Sequence, residues 1–169
     1  FKVGEPEFPA GPLLIPASDR ARKEIEALGL QGLAVQQMPS GIDTMDVDLP
    51  RLAMYTTWSS TEKPGWVRLA FDRLEIPFDL IHKDHVQAGA NLRSKYDVIV
   101  MPHHGNNGKS IVYEQPKLSK PVAYKKSDRF KSLGMYAETD DVRGGMGLAG
   151  AAELQKFVEQ GGVLLTLGV

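Results

Sequence analysis

The stretch from Gly144 to Val169, GGMGLAGAAELQKFVEQGGVLLTLGV, constrains the fold of this chain more than any other. It reads as a glycine-rich opening, an amphipathic helix, a double-glycine stop and an apolar strand. The spacing predicts a helix over Leu148–Gln160 with Leu148, Ala151, Leu154, Phe157 and Val158 turned inward. Gly161-Gly162 ends it, and Val163–Leu167 is the strand. A helix that feeds directly into an apolar strand is half of a βαβ unit, which implies a parallel sheet.

The chain before it repeats this alternation. Leu52–Thr56 is a buried strand, and Pro64 opens a helix with Trp66, Val67, Ala70, Phe71 and Leu74 on one stripe, Trp66 being placed in the core. Phe78–Ile81 is the next strand. A short turn through Asp84 and Val86 leads to the strand Asp97–Met101. Gly105–Asp141 is irregular, with Pro116, Pro121 and one extended piece at Val122–Tyr124. The expectation is an α/β, flavodoxin-like, three-layer fold over residues 51–169, with a parallel sheet and ligands at the carboxyl ends of the strands.

Residues 1–50 are expected to form a lead-in and connector packed on that domain. Extended pieces flank Pro9-Ala10-Gly11-Pro12, and Leu13–Ile15 and Leu33–Val35 read as strands. Between them Ser18 or Asp19 caps a helix that runs to Leu28 and stops at Gly29, giving a small βαβ-like unit. Met38–Pro50 connects, with Asp43, Asp46 and Asp48.

Composition limits the function. The 169 residues carry 20 basic and 21 acidic side chains, net −1, so no nucleic-acid or anionic-membrane partner is implied. There is no cysteine, which excludes disulfides, thiolate metal sites and a cysteine nucleophile. No apolar run reaches the roughly 20 residues of a membrane helix. The chain starts at Phe1 and stops within a strand, so it is expected to be a segment of a longer protein, cut short at the C-terminus of its main domain.

Four motifs suggest chemistry. His103-His104-Gly105-Asn106-Asn107-Gly108-Lys109-Ser110 ends like a phosphate-binding loop, but His103 stands where the first glycine belongs. No helical pattern follows, so a solvated turn is the expectation. Gly145-Met146-Gly147-Leu148-Ala149-Gly150 matches the dinucleotide spacing G-x-G-x-x-G and opens a helix, yet polar Asp140–Arg143 replaces the strand before it. These glycines are expected to serve a tight turn and close packing. His82, His85, His103 and His104 fall after two strands and are the weak metal candidates, lacking the i, i+4 spacing of strong zinc motifs. Trp58, among serines and threonines, suits a pocket or an interface.

Several stretches together resemble a known family. They are Phe8–Gly11, Leu52–Trp58 with Gly65-Trp66, Tyr96–Pro102, and Gly144–Leu148 running to Gly161-Gly162. The chain resembles the C-terminal region of bacterial carboxypeptidase-A-like zinc metallocarboxypeptidases, which carry a class I glutamine amidotransferase-like domain after the peptidase. The resemblance implies an upstream peptidase domain of the same chain, with zinc held there and no cofactor in this segment. It also implies an extracytoplasmic location if the parent is exported. His82-Lys83-Asp84-His85 is not the peptidase's His-x-x-Glu motif. The amidotransferase nucleophile would fall at about Gly168, a position without a thiol, and its His and Glu partners would lie beyond Val169.

The leading expectation is therefore a non-catalytic accessory domain that serves packing or substrate positioning. The alternative is a small-molecule or metal binding domain whose rim is built from Trp58, His103, His104 and the backbone of Gly144, Gly145 and Gly147. A hydrolase with His104 as base ranks last, because Ser59 and Ser60 are only loop serines.

Overall fold

The computed structural model describes residues 11–37, 41–89 and 91–168. The chain divides into two compact units, Phe1–Asp48 and Leu49–Val169.

In the first unit, α1 (Asp19–Ala27) is capped by Ser18, whose Oγ accepts from the Ala21 amide at 3.0 Å. It ends where Gly29 takes φ 65° and the Leu30 amide bonds back to the Ile25 carbonyl, a left-handed helix stop. The strands expected at 13–15 and 33–35 do not form, so the described part of the lead-in is one helix and not a βαβ unit. Pro12 and Pro16 bracket the first segment and remove donors a ladder would use. The apolar residues of both segments stay exposed, Leu13 at 68% and Leu33 at 52%. The turn expected around Pro9-Ala10 and part of the connector, Met38–Ser40, lie outside the described residues.

The second unit is α/β. Its elements are β1 (Leu52–Tyr55), α2 (Glu62–Arg73), β2 (Asp79–Ile81), α3 (Lys83–Gln87), α4 (Leu92–Lys95), β3 (Val98–Met101), α5 (Gly108–Tyr113), α6 (Gly147–Glu159) and β4 (Val163–Thr166). The four strands form one all-parallel sheet in the order β2-β1-β3-β4. Alternate side chains serve opposite faces. Ala53, Tyr55, Ile81, Ile99 and Met101 join Met146, Leu154 and Phe157 in the main core, on the face that α6 covers. The short helices α3, α4 and α5 all pack against α6.

Three expectations about elements change. The turn through Asp84 and Val86 is the helix α3, held by a His82 amide that donates to His85 Nδ1 and by fully buried Val86. Five residues are too few to show a period, so packing on α6 decides the conformation. The stretch after Gly108 is the helix α5, opened by a reciprocal cap in which Asn107 Oδ1 accepts from the Ser110 amide and Ser110 Oγ accepts from the Asn107 amide. Finally, Trp66 is 67% exposed, and Leu148 and Val158 of α6 face solvent as well. The row that α6 buries is Gly150, Leu154 and Phe157, at i, i+4 and i+7, so Leu148 and Val158 fall beside the seam.

No helix among the described residues is long and apolar enough to cross a membrane.

Candidate functional site

The carboxyl ends of the strands present Thr56–Trp58 after β1, His82 after β2, His103-His104 after β3 and Gly168 after β4. Two neighbourhoods form there, one on each face of the sheet.

On the face of Met54 and Leu80, Trp58 stacks on His82 with ring centres 3.9 Å apart and planes at 13°. The indole Nε1 donates to Asp84 Oδ2 at 3.2 Å, and His82 Nδ1 pairs with the Thr56 carbonyl at 3.0 Å. Burial holds the His82 pKa below its ordinary value, so this imidazole is neutral at pH 7. Beside the pair opens a cavity of about 390 Å³, floored by Met54 and Leu80 and closed laterally by the first turns of α2 and by Tyr124.

On the opposite face, Tyr55 Oη donates to Glu114 Oε1 at 2.8 Å. Burial raises the Glu114 pKa above its ordinary value, and the bond from Tyr55 partly opposes this. The same burial and carboxylate push the Tyr55 phenol up. His104 packs on Tyr55 at 5.3 Å between ring centres and pairs through Nδ1 with the Pro102 carbonyl. Its Nε2 is buried without a hydrogen-bond partner. Lys83, held low by burial, donates to the Arg143 carbonyl. Glu114 itself stops α5 at φ 47°, ψ −120°, a backbone state that only glycine adopts without strain.

This second cluster has acid, base and phenol, but neither the cavity at Trp58 nor the adjoining groove at Asp72 is lined by Tyr55, His104 or Glu114. The loop serine Ser60 serves an ordinary turn, its amide donating to Thr57 Oγ1 at 2.9 Å.

The metal candidates do not gather. Among the described residues no group of three or more His, Asp or Glu is placed to hold a metal. All four histidines engage the main chain through Nδ1: His82 at Thr56, His85 at the His82 amide, His103 at Gly168 and His104 at Pro102.

The phosphate-loop spacing also finds other work. The Asn106 and Asn107 amides both donate to Ser110 Oγ, and a Cβ on Gly105 would lie 2.7 Å from that oxygen. Those amides are consumed by the protein, so none points at a phosphate.

The glycines act through space. Gly144 and Gly147 take φ 73° and 65°. A Cβ on Gly145 would stand 2.4 Å from the Val112 carbonyl oxygen, and one on Gly150 would stand 2.6 Å from Met146 Cβ. The Gly145 and Met146 carbonyls accept from Gln87 Nε2. Trp58 therefore stands apart with His82, whereas His104 and Gly145 both border the Tyr55–Glu114 pair on the other face. Tyr55, Lys83, Arg68 and Glu114 were not singled out by sequence reasoning. Glu114 sits in a lysine-rich irregular stretch, where no local pattern marks a half-buried carboxylate.

Protein-family models, curated proteins and solved structures were compared with the chain, and none matches it.

Proposed function

We propose that residues 49–169 are a non-catalytic, class I glutamine amidotransferase-like domain of three-layer, flavodoxin-like design. It would act as an accessory of a zinc-carboxypeptidase-like protein whose peptidase domain, with the zinc, lies upstream. The strand order β2-β1-β3-β4 is compatible with the flavodoxin-like arrangement. Gly168, with φ 70° two residues after β4, supports the reading of a sharp turn at the emptied nucleophile position.

The observation that carries the packing role is the exposed side of β4. Parallel sheets are ordinarily covered on both faces. Here Val163 and Leu165 remain 55% and 49% exposed, and Trp66 of α2 and Leu74 just after it are exposed too. Such a surface fits another domain better than water. Expressing the peptidase region with and without residues 49–169 tests this. A fall in soluble yield or peptidase rate on deletion is expected, and equality in both contradicts it.

A second reading, a small-molecule binding domain, is favoured by the cavity at Trp58 and His82. Thermal shift with zinc, nucleotides and acidic metabolites tests it, and a flat response across the panel removes it.

A further inference from the structure

We propose that the cavity at the carboxyl ends of β1 and β2 takes an aromatic carboxylate, with its ring beside Trp58 and Tyr124 and its carboxylate on Arg68. This deepens the second reading above and rests on it.

The volume of about 390 Å³ lies in the roughly 300–1,000 Å³ span of small-molecule sites. The floor is apolar. The wall is built before any ligand arrives: Trp58 is fixed by its stack on His82 and its bond to Asp84. A wall already held in one geometry loses little entropy on binding. Tyr124 faces it with ring centres 5.5 Å apart and planes at 43°, held in place by its antiparallel bridge to Thr139. At the mouth Met135 and Tyr136 line the cavity while 69% and 89% exposed. A flat apolar group seated there would cover both.

Charge selects the rest of the ligand. No Asp or Glu lines this cavity, His82 is neutral, and Arg68 is its one guanidinium. Arg68 Nε stands 3.6 Å from Asp72 Oδ2, longer than a hydrogen bond, so a carboxylate can take the guanidinium in a forked pair. Beyond Arg68 the neighbouring groove of about 420 Å³ is lined by Asp72 and Asp79. That acidic continuation favours one short-tethered carboxylate over a polyphosphate.

The test uses the indole N–H signals of the whole chain, because its two tryptophans report separately: Trp58 lines the cavity and Trp66 does not. Titration with 3-phenylpropionate is expected to move the Trp58 signal saturably and leave Trp66 in place. The uncharged 3-phenylpropanol should bind more weakly, and acetate not at all. Arg68→Gln, a change on an exposed helix position, should weaken 3-phenylpropionate by about tenfold and leave 3-phenylpropanol unaffected. A Trp58 signal that does not move saturably, or an affinity untouched by Arg68→Gln, overturns the assignment. If zinc or a nucleotide stabilises the chain while 3-phenylpropionate leaves Trp58 unmoved, the broader binding reading stands and this assignment falls.

Discussion

The Tyr55 hydroxyl donates to the Glu114 carboxylate at 2.8 Å and so ties the carboxyl end of β1 to the residue that stops α5. Gly145 closes over this joint, since a Cβ there would lie 3.0 Å from Glu114 Cγ. The bond bridges 59 positions of sequence and fixes where the irregular segment after α5 leaves the sheet.

The strained backbone of Glu114 gives a first prediction. Glu114→Gly and Glu114→Ala both lose the bond to Tyr55, so their difference isolates the conformation at φ 47°. The glycine variant should be more stable by about 1 kcal/mol in urea unfolding. Equal stabilities, or a more stable alanine variant, would contradict the strain.

The half-buried Glu114 carboxylate gives a second. Because the folded state raises the Glu114 pKa, it binds the proton more tightly than the unfolded chain. The contribution of Glu114 to stability is therefore greatest below its ordinary value of 4.5 and declines as pH rises through the raised one. Glu114→Gln keeps an acceptor for Tyr55 and cannot ionise. The wild type should lose stability relative to this variant as pH climbs from about 4 to 7, read from urea midpoints. A difference constant with pH would contradict it.

Asp97 and Asp141 behave oppositely. Asp97 accepts from Arg51 and Arg93, and Asp141 from Arg143, which holds both carboxyls well below the usual range. Their stabilisation is present above the ordinary carboxylate value of 3.8 and is lost as pH falls below it. Asp97→Asn should lower the melting temperature at pH 7, with the gap to wild type closing toward pH 2. A gap that persists in acid would contradict the pairing.

Two glycines predict opposite signs for one substitution. Gly145→Ala drives a methyl to 2.4 Å from the Val112 carbonyl oxygen and should cost about 1–3 kcal/mol. Gly65 lies inside α2 with nothing within 4 Å of an added Cβ. Gly65→Ala should stabilise by about 0.5–1 kcal/mol. Thermal melts of the pair check both signs.

The four strands and the long helices α2 and α6 were legible in the sequence, because apolar runs such as Asp97–Met101 and the double glycine at 161–162 are local signals. What escaped was non-local or too short to show a period. The helix α3 is set by Val86 against α6, and α5 by the Asn107–Ser110 cap that a glycine-asparagine turn disguised. Trp66 was misplaced because a stripe says which face is apolar, not whether anything covers it. At the candidate site, Trp58 and His82 stood after their strands as expected. Their stacking, the Tyr55–Glu114 bond and the role of Arg68 depend on contacts between distant segments. The tight turn and close packing expected of the 144–150 glycines came from their spacing, and a Cβ at Gly145 or Gly150 would crowd Val112 or Met146.

The outer edge of β4 tests the central claim most directly. If this domain packs its exposed face on a peptidase domain, amide hydrogen exchange across Val163–Thr166 will slow by at least about tenfold when residues 49–169 are attached to that domain. Identical exchange rates in the attached and isolated forms would contradict the account.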